Sequence, residues 1–592
     1  MVFAPRNTTL LACIIFVALA SSPFIFQILR GDTNGNFSTL YDSFEAGVLT
    51  ATTGARAKFS WDSVPPSDHL VWHDCYTEHQ CARLNVPLNY SDPYGEKAII
   101  ALTRIPSPLP VGSPWYRGPI LFNPGGPGGS GVDLVVQAGK LFSTIVGPQF
   151  DVLGFDPRGV GHSVPRVSFF ETAAERALWG SVGPHVLDAS AGEVARQWAR
   201  SKVINGLAGE RLLNLLPHIN TDQTARDMLR ITEAHGNEKL QYWGFSYGTV
   251  LGATFAAMFP DKIERMIIDG VVDVENYYAT LWTNNLLDTD KTMQTFFDGC
   301  AEAGPDDCPF YAPTAEDISR NLTNLYNAIR KKPVPVRTKV SYGLVDYNRL
   351  RTTIFMSLYT PYATFPALAR GLADLAAGDG RLLFEMEEFP PFQCSCDEGP
   401  PRIDIVDEAY AAILCNDGVD ISESLGDFEK YFKHLTEKSS WGELWSAIRG
   451  NCISWPRLPK SHFQGPFTGN TSFPILLIGN TADPVTPLWA AKKVSKGYPG
   501  SVVLTQNSPG HSSLTAPSLC TQKYIRRYFT DGTLPDRGTV CEVIKSPFSQ
   551  ITSKTPTDQT PFENNWTSDE RDILTAITAL SMISRSSAPY PL

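Results

Sequence analysis

Apolar residues in the first half of this chain form uninterrupted runs that end in polar, glycine-containing loops. The segment 118–131, GPILFNPGGPGGSG, begins with such a run, and the segment 150–163, FDVLGFDPRGVGHS, repeats the scheme. Runs without alternation are typical of parallel strands that are covered on both faces. Together with a third run at 97–107, KAIIALTRIPS, these patterns predict a buried, mostly parallel sheet.

Helical spacing of apolar positions follows at 220–236, with Thr221 as the predicted N-cap and Gly236 as the residue that ends the helix. The next patterns predict a strand at 239–243, a helix of small residues at 247–259 and a strand at 263–270. An alternation of strands and helices favours a doubly wound α/β fold.

The pattern changes between about 275 and 465, where aromatic, helical segments alternate with loops rich in proline and cysteine. We interpret this stretch as an inserted, mostly helical cap. The α/β pattern resumes at 472–487, and the elements predicted after it are a helix at 488–496, a strand at 501–505, a helix at 518–529 and a helix at 568–583.

These changes predict a division of the chain into six parts. They are a signal peptide or signal anchor at 1–30, an N-terminal arm at 31–70, the first part of an α/β core at 71–274, the cap at 275–465, the second part of the core at 466–545 and a C-terminal extension at 546–592. The pattern gives no role for the extension.

Composition narrows the class of partner. The chain has 592 residues, and its 43% hydrophobic and 19% charged residues are ordinary for a globular protein. The formal net charge is −11, so the surface offers no electrostatic reason to bind nucleic acid or anionic lipid. We therefore expect no nucleic-acid partner, and contact with a membrane only through a possible N-terminal anchor; the expected peptide or small-molecule substrate depends on the candidate site and the resemblance described below.

The N-terminus carries an almost wholly apolar segment at 10–29, preceded by Arg6. A positive charge before such a segment favours translocation of the chain that follows. The motif Ala18-Leu19-Ala20 fits a cleaved signal peptide, whereas about 20 apolar residues also suffice for an uncleaved membrane anchor. A cleaved signal predicts a secreted protein, and an uncleaved anchor predicts a membrane-anchored protein whose body is lumenal or extracellular.

Cysteine usage agrees with an oxidising compartment. Eleven cysteines are present, and apart from Cys13 in the leader they form an even number. The motif Cys394-Ser395-Cys396 lacks the His or Cys pair that would complete a zinc site, and no metal or other cofactor is expected. The predicted pairs are Cys75/Cys81, Cys300/Cys308, Cys520/Cys541 and, at longer range, Cys415/Cys452.

Five glycosylation sequons support the same compartment, since each places an acceptor asparagine two residues before Ser or Thr. They begin at Asn36, Asn89, Asn321, Asn470 and Asn565.

The candidate nucleophile is Ser246, the centre of Gly244-Phe245-Ser246-Tyr247-Gly248. This Gly-x-Ser-x-Gly pattern lies between a predicted strand and a predicted helix, which is the context of a nucleophile elbow. In an elbow a tight turn holds the serine hydroxyl above the sheet, and the glycines let strand and helix approach closely.

A serine hydroxyl needs a base, and the base needs an orienting carboxylate. Asp483 follows a predicted strand, and His511 follows the next one, so both are expected at the edge of the sheet that carries Ser246. No other acidic residue is expected at an equivalent strand end. We therefore predict a catalytic triad of Ser246, Asp483 and His511.

The developing oxyanion needs two N–H donors. One is expected from the backbone of Tyr247, and the other from the loop NPGGPGGSG at 123–131, with Gly126 as the first choice and Gly125 as the second. The loop lacks the Gly-Lys-Ser/Thr signature of a phosphate site. Asp156 and Arg158, in the loop after the strand at 150, are predicted to brace the neighbouring loops as an ion pair.

These motifs also carry a family resemblance. NPGGPGGSG, DVLGFDPRGVGHS, YWGFSYGTVLG, GNTADPVTP and PGHSSL resemble the proline-iminopeptidase and tripeptidyl-aminopeptidase group of α/β-hydrolase serine peptidases, collinearly over about 70–545. Pro124 stands where the iminopeptidase loop usually has His, as suits the tripeptidyl branch. The resemblance implies an α/β-hydrolase fold with a helical cap, and an exopeptidase that releases short peptides or residues from N-termini.

An aminopeptidase must bind the substrate ammonium with a carboxylate, for which Asp417 in the cap is the candidate. Two alternatives stay open at this point. One is an esterase, lactonase or similar hydrolase of a small metabolite, since the triad does not set specificity. The other is a non-catalytic binding protein on a hydrolase scaffold.

Overall fold

In the part of the chain that the structure describes, ten strands form one sheet, in the order β1-β2-β3-β5-β4-β6-β7-β10-β11-β12. In order, these strands are β1 His73–Asp74, β2 Gln80–Pro87, β3 Lys97–Ile105, β4 Gly118–Asn123, β5 Phe150–Phe155, β6 Leu240–Phe245, β7 Ile263–Asp269, β10 Leu476–Ala482, β11 Val502–Pro509 and β12 Val540–Glu542. The pairs from β1 to β3 and the β3–β5 pair are antiparallel, and the pairs from β5 to β12 are parallel. The computed structural model describes residues 59–181, 186–339, 341–386, 406–459, 462–549 and 566–583.

Helices surround this sheet and fill the stretch between β7 and β10. The helices between β4 and β7 are α1 Gly131–Val146, α2 Ala173–Gly180, α3 Glu193–Leu212, α4 Thr221–Ala234 and α5 Tyr247–Met258. The stretch between β7 and β10 contributes α6 Val274–Tyr278, α7 Thr289–Asp307, α8 Ala315–Lys331, α9 Tyr347–Ser357, α10 Pro361–Ala376, α11 Arg381–Met386, α12 Val406–Asp417, α13 Leu425–Lys438 and α14 Gly442–Gly450. The last three are α15 Leu488–Val494, α16 Leu519–Asp531 and α17 Ser568–Ile583.

The central strands β4, β5 and β6 are buried at every position, which is why their sequences do not alternate. One core cluster contains Phe142 of α1, Trp243 of β6 and Phe529 of α16. A second, larger cluster covers the other face and continues into the helices between β7 and β10. Both faces of the sheet are therefore covered, and the predicted α/β-hydrolase architecture is confirmed.

Several strands were not predicted from the sequence, including the very short β1 and β12. β2 forms an antiparallel pair with β3 although its stretch carries no uninterrupted apolar run. A hairpin of β8 Val334–Arg337 and β9 Tyr342–Val345 lies within the stretch predicted as a cap. Its strands have only four residues each, too few for a readable period. The proposed domain boundaries themselves stay a prediction.

The N-cap of α4 differs from the prediction. Asn220, not Thr221, caps this helix, since its side chain accepts the backbone N–H of Gln223 at 3.0 Å. The Thr221 hydroxyl is used elsewhere, in contacts with Tyr247 and Asp417. A side chain that has partners across the fold is not available to the first turn of its own helix.

Helix α17 joins the C-terminal extension to the core. It packs against α1 and α16 and also contacts the turn Ser513–Thr515 after β11. Ile573 and Ile577 are fully buried in these contacts. The extension, whose role the sequence left open, therefore contributes to the core through this helix.

The structure confirms the four predicted disulfides, Cys75–Cys81, Cys300–Cys308, Cys415–Cys452 and Cys520–Cys541. Disulfides of this kind are typical of proteins outside the cytosol. Within the described ranges, no helix has the length and apolar character needed to cross a membrane. The apolar segment 10–29, Asn36, the pair Cys394 and Cys396, and Asn565 lie outside the described residues.

Candidate active site

Ser246 lies in a tight turn between the end of β6 and the start of α5, with a positive φ of 56° and a ψ of −122°. Gly244 and Gly248 make this turn possible, because a Cβ on Gly244 would lie 2.6 Å from the carbonyl oxygen of Gly248. A strained backbone at a side chain that is partly exposed is typical of a functional position. The geometry is that of a nucleophile elbow.

Asp483 and His511 follow β10 and β11, which are parallel neighbours. The Nδ1 atom of His511 lies 3.0 Å from each carboxylate oxygen of Asp483. Asp483 is fully buried, and it also accepts the backbone N–H groups of Val485, Thr486 and Ser512. The structure thus brings the predicted acid and base together, with the acid held by three further donors.

The other ring nitrogen of His511, Nε2, is buried and has no hydrogen-bond partner among the described residues. It therefore makes no hydrogen bond to Ser246 Oγ in this structure, although Ser246 lies at the same carboxyl edge of the sheet. Such contacts are often long in the absence of substrate and tighten in the substrate complex. A buried, unpartnered nitrogen is suited to accept a proton within the site.

The loop that carries His511 is fixed by hydrogen bonds with residues that sequence analysis did not predict to be part of the site. Asn480 donates its side-chain amide to the carbonyl oxygens of Gly510 and Ser512, at 2.8 and 2.7 Å. The backbone carbonyl of Tyr359 accepts the N–H of His511 at 2.9 Å, and the Tyr359 ring packs edge-on against the imidazole. Tyr359 follows α9, so the stretch predicted as a cap contacts the candidate base directly.

The glycine-rich loop after β4 lies against the elbow. A Cβ on Gly125 would lie 2.4 Å from the carbonyl oxygen of Phe245 and 2.9 Å from the backbone nitrogen of Tyr247, so only glycine fits there. Gly125 and Gly126 both have positive φ, at 93° and 113°. The two segments predicted to supply oxyanion donors are therefore in contact through their backbones.

The predicted ion pair in the loop after β5 is wrong in its partners. Arg158 binds Asp227 of α4 through two hydrogen bonds of 2.7 Å, and Asp227 also accepts the hydroxyl of Tyr90. Asp156 instead accepts the Ser130 hydroxyl at 2.5 Å and the backbone N–H of His162 at 2.7 Å. Both residues brace loops, Arg158 through a partner 69 residues along the chain, and Asp156 through the preceding glycine-rich loop and its own loop.

Asp417 ends α12 and lies in a buried polar cluster beside the elbow. Its carboxylate accepts the N–H and the hydroxyl of Thr221 at 2.8 and 2.5 Å and the Tyr277 hydroxyl at 2.8 Å. The Thr221 hydroxyl also lies 2.5 Å from the Tyr247 hydroxyl. Burial raises the pKa of Asp417 to about 6, and the hydrogen bonds from Thr221 oppose that rise. Asp417 is 0% exposed, so both oxygens face protein groups.

The expectation that no other acid occupies an equivalent strand end is wrong. Asp269 is the last residue of β7 and lies opposite Phe245 in the parallel register with β6. Its carboxylate binds Ser513, not the imidazole of His511. The sequence does contain this signal, as the Asp of IERMIIDG, but the residue falls inside the predicted strand.

No cluster of three or more His, Cys, Asp or Glu side chains suited to a metal ion occurs in the described part of the chain. Of the described sequons, Asn321 and Asn470 are exposed, and Asn89 is half-buried. Glycosylation at these positions stays a prediction.

Comparison with known proteins agrees with this architecture. Residues 118–307 match the family model described as the alpha/beta hydrolase fold, and residues 437–541 match the model described as TAP-like protein. Three relatives are similar over most of the chain. They are the serine protease Hip1 of Mycobacterium tuberculosis (29% identity, covering 78% of this chain and 87% of that protein), the tripeptidyl aminopeptidase of Streptomyces lividans (27%, 84% and 89%) and carboxylesterase B of Mycobacterium tuberculosis (26%, 78% and 86%).

Proposed function

We propose that this chain, which belongs to the α/β-hydrolases and carries a TAP-like segment, is a serine exopeptidase that releases short peptides or residues from peptide N-termini. The observation that carries the proposal is the contact of His511 Nδ1 with both oxygens of Asp483, while Nε2 is buried at the carboxyl edge of the sheet and has no hydrogen-bond partner in the described ranges. The similarity to a serine protease and to a tripeptidyl aminopeptidase supports the peptide substrate.

In the proposed mechanism the hydroxyl oxygen of Ser246 attacks the carbonyl carbon of the scissile peptide bond, and its proton passes to Nε2 of His511. Asp483 orients the imidazole and stabilises the imidazolium that forms. His511 then donates the proton to the leaving amine as the C–N bond breaks. Water, activated by the same imidazole, hydrolyses the acyl-enzyme and restores Ser246.

The proposed oxyanion hole consists of the backbone N–H groups of Tyr247 and Gly126. The contact between the Gly125 backbone and the elbow supports this assignment, because it brings the two segments within van der Waals distance. Preorganised donors of this kind stabilise the charge that develops in the transition state.

A panel of three substrates with the same acyl part tests the function. It contains a tripeptide p-nitroanilide with a free N-terminal amine, its N-acetylated form and the tripeptide p-nitrophenyl ester. We expect the free amine to give the highest kcat/KM among the amides, and Ser246→Ala and His511→Ala to abolish turnover of all three. Equal cleavage of both amides would overturn the exopeptidase assignment, and full activity of Ser246→Ala would overturn the nucleophile.

Asp417 is retained in the proposal as the group that binds the substrate ammonium, and its hydrogen bonds give it a competing role. Through Thr221 it also braces Tyr247, whose backbone N–H is a proposed oxyanion donor. Asp417→Asn separates the two roles. Loss of the preference for the free amine over the N-acetylated amide supports ammonium binding, whereas an equal loss on both amides shows that Asp417 only braces the site.

The second candidate function is ester hydrolysis, favoured by the similarity to a carboxylesterase. The same panel distinguishes it, since an esterase would cleave the p-nitrophenyl ester efficiently and both amides poorly. The residues that decide between the two are expected in the stretch between β7 and β10.

The proposed location is outside the cytosol. Four disulfides support it, and the apolar segment 10–29 provides the route, as a cleaved signal or as an anchor. Sequencing the N-terminus of the mature protein distinguishes cleavage after the leader from retention of the anchor.

A further inference from the structure

Asp269 contacts both halves of the candidate catalytic machinery. Its backbone carbonyl oxygen, at the end of β7, accepts the N–H of Ser246 at 3.1 Å. Its carboxylate accepts hydrogen bonds from the loop that carries the candidate base, His511. No catalytic step proposed above uses this residue.

On the side of the base, the carboxylate binds Ser513, two residues after His511. One oxygen accepts the Ser513 backbone N–H at 2.8 Å, and the other accepts the Ser513 hydroxyl at 2.5 Å. Between them Ser512 has a positive φ of 64° with a ψ of 169°, a conformation that only surrounding contacts maintain. The two bonds to Asp269 are among the contacts that fix the path of this loop.

Gly270, the residue after Asp269, also lies between the loop of His511 and strand β10. Gly270 has a φ of 68°, and a Cβ there would lie 3.3 Å from Cε1 of His511. Its N–H donates to the carbonyl oxygen of Ile478 in β10, the strand that leads to Asp483. Asp269 and Gly270 therefore touch the segments of all three proposed catalytic residues.

Asp269 is fully buried, and the indole N–H of Trp243 lies 3.4 Å from its carboxylate. Burial raises the pKa of Asp269 to about 6, an effect opposed by the bonds from Ser513 and by the nearby imidazole of His511. At a pH near 8 the carboxylate is ionised and accepts both bonds from Ser513.

We propose that Asp269 is a positioning residue that fixes the loop of His511 relative to Ser246. This inference rests on the proposed function, because it concerns the alignment of the proposed nucleophile and base. Asp269 acts through Ser513 and does not touch the substrate.

Misalignment should affect amides more than activated esters. The amine of an amide leaves only with a proton from His511, whereas p-nitrophenolate leaves without one. If Asp269 positions the imidazole, its loss therefore weakens proton donation most where the leaving group depends on it. A merely structural residue would lower the amount of folded enzyme and reduce both reactions by the same factor.

The test compares Asp269→Asn and Ser513→Ala with the unaltered enzyme at pH 8, on the tripeptide p-nitroanilide and the matching p-nitrophenyl ester. For Asp269→Asn we expect kcat on the anilide to fall by about a hundredfold with KM unchanged, and kcat/KM on the ester to fall by about tenfold. Ser513→Ala should change both in the same direction but less, because the Ser513 N–H still donates to Asp269. The double variant should lose no more than Asp269→Asn alone, since both changes remove the same contact.

Asp151→Asn is the matched control. Asp151 is also a buried carboxylate that accepts a backbone N–H and a hydroxyl, from Ser107 and Tyr116, but it lies near the start of β5, at the opposite edge of the sheet. We expect it to lower the melting temperature and leave the ratio of anilide to ester cleavage unchanged.

An equal loss on both substrates in Asp269→Asn, or the same ratio as in Asp151→Asn, would overturn the positioning role. That result is distinct from failure of the proposed function, which full activity of Ser246→Ala or His511→Ala would reveal.

Discussion

At the scale of single residues, four buried aspartates show how neighbours decide the role of one side-chain type. The carboxylate of Asp483 contacts the imidazole of His511, and that of Asp269 accepts hydrogen bonds from the loop that follows His511. Asp156 accepts hydrogen bonds from Ser130 and Val132 at the N-terminus of α1. Asp417 accepts hydrogen bonds from Thr221. All four accept backbone N–H groups as well as side-chain donors. Only the position of the imidazole distinguishes the proposed catalytic acid from the other three.

The first prediction concerns this acid. Asp483→Asn replaces an acceptor of the His511 Nδ1–H by an amide that can present its own N–H, which favours the wrong tautomer of the imidazole. We expect kcat on the anilide to fall about 10⁴-fold with little change in KM. Steady-state kinetics measure this, with Asp151→Asn as the control, and an unchanged kcat would contradict the assignment.

The second prediction concerns the glycine-rich loop. Gly125→Ala would place a Cβ 2.4 Å from the carbonyl oxygen of Phe245, at a φ of 93° that alanine rarely adopts. The loop must move away from the elbow, so we expect kcat to fall about 10²- to 10³-fold through loss of an oxyanion donor.

Gly112→Ala is the control for that experiment, since nothing lies within 4 Å of its added Cβ. Equal activity of the two glycine variants would argue against an oxyanion donor in this loop.

At the scale of elements, the proposed site depends on strand ends that meet at one edge of the sheet. The parallel neighbours are β4, β6, β7, β10 and β11, and each is followed by a segment that carries a residue of the proposed site or contacts one. The C-terminal helix α17 supports one of these segments from outside the sheet, through its contact with the turn Ser513–Thr515. An element far along the chain thereby packs against the loop of the proposed base.

The third prediction tests that support. Ile577 of α17 is 0% exposed, and Ile577→Ala leaves a cavity between α17 and the core. We expect the free energy of unfolding to fall by about 2–5 kcal/mol. Thr575→Ala, at an exposed position of the same helix, should leave it nearly unchanged, and denaturant titration of both variants provides the comparison.

At the scale of the whole molecule, burial of carboxyl groups links folding to pH. Burial raises the pKa of Asp156 to about 7, although hydrogen bonds from Ser130 and His162 oppose the rise. Between the ordinary value of 3.8 and that value, the folded protein keeps the proton and the unfolded chain loses it. This contribution to stability is therefore complete below about pH 4 and is lost as the pH rises through about 7.

The fourth prediction follows from this loss of stability with rising pH. Asp156→Asn cannot titrate, so the decrease in melting temperature between about pH 5 and about pH 8 should be smaller in the variant than in the unaltered protein. Thermal unfolding at the two pH values measures the difference. A decrease of the same size in both proteins would mean that Asp156 is already ionised at pH 5.

Much of the fold could be predicted from the sequence, because most strands that lead to the proposed site residues are marked by local apolar runs. The apolar runs at β4, β5 and β10 predicted strands near their observed bounds, and the cysteine spacing predicted the four disulfides found among the described residues. The hairpin of β8 and β9 and the cap by Asn220 were missed, since strands of four residues and competing side-chain partners leave little periodicity. β2 was missed for a different reason, because its buried Ala82, Leu84 and Val86 alternate with Arg83 and Asn85 at the period of a half-buried strand rather than forming an uninterrupted apolar run.

Sequence patterns alone predict the α/β class of fold and the candidates Ser246, Asp483 and His511, because the elbow, the strand ends and the loops are local patterns in a fixed order. The pairing of Arg158 with Asp227, and the contacts of Asp269 with both the elbow and the loop of His511, are visible only in the folded protein. Hydrogen bonds between buried groups depend on which segments the sheet brings together. Arg158 and Asp227 are 69 residues apart, and Asp269 and Ser513 are 244 residues apart, so no local pattern records either pair.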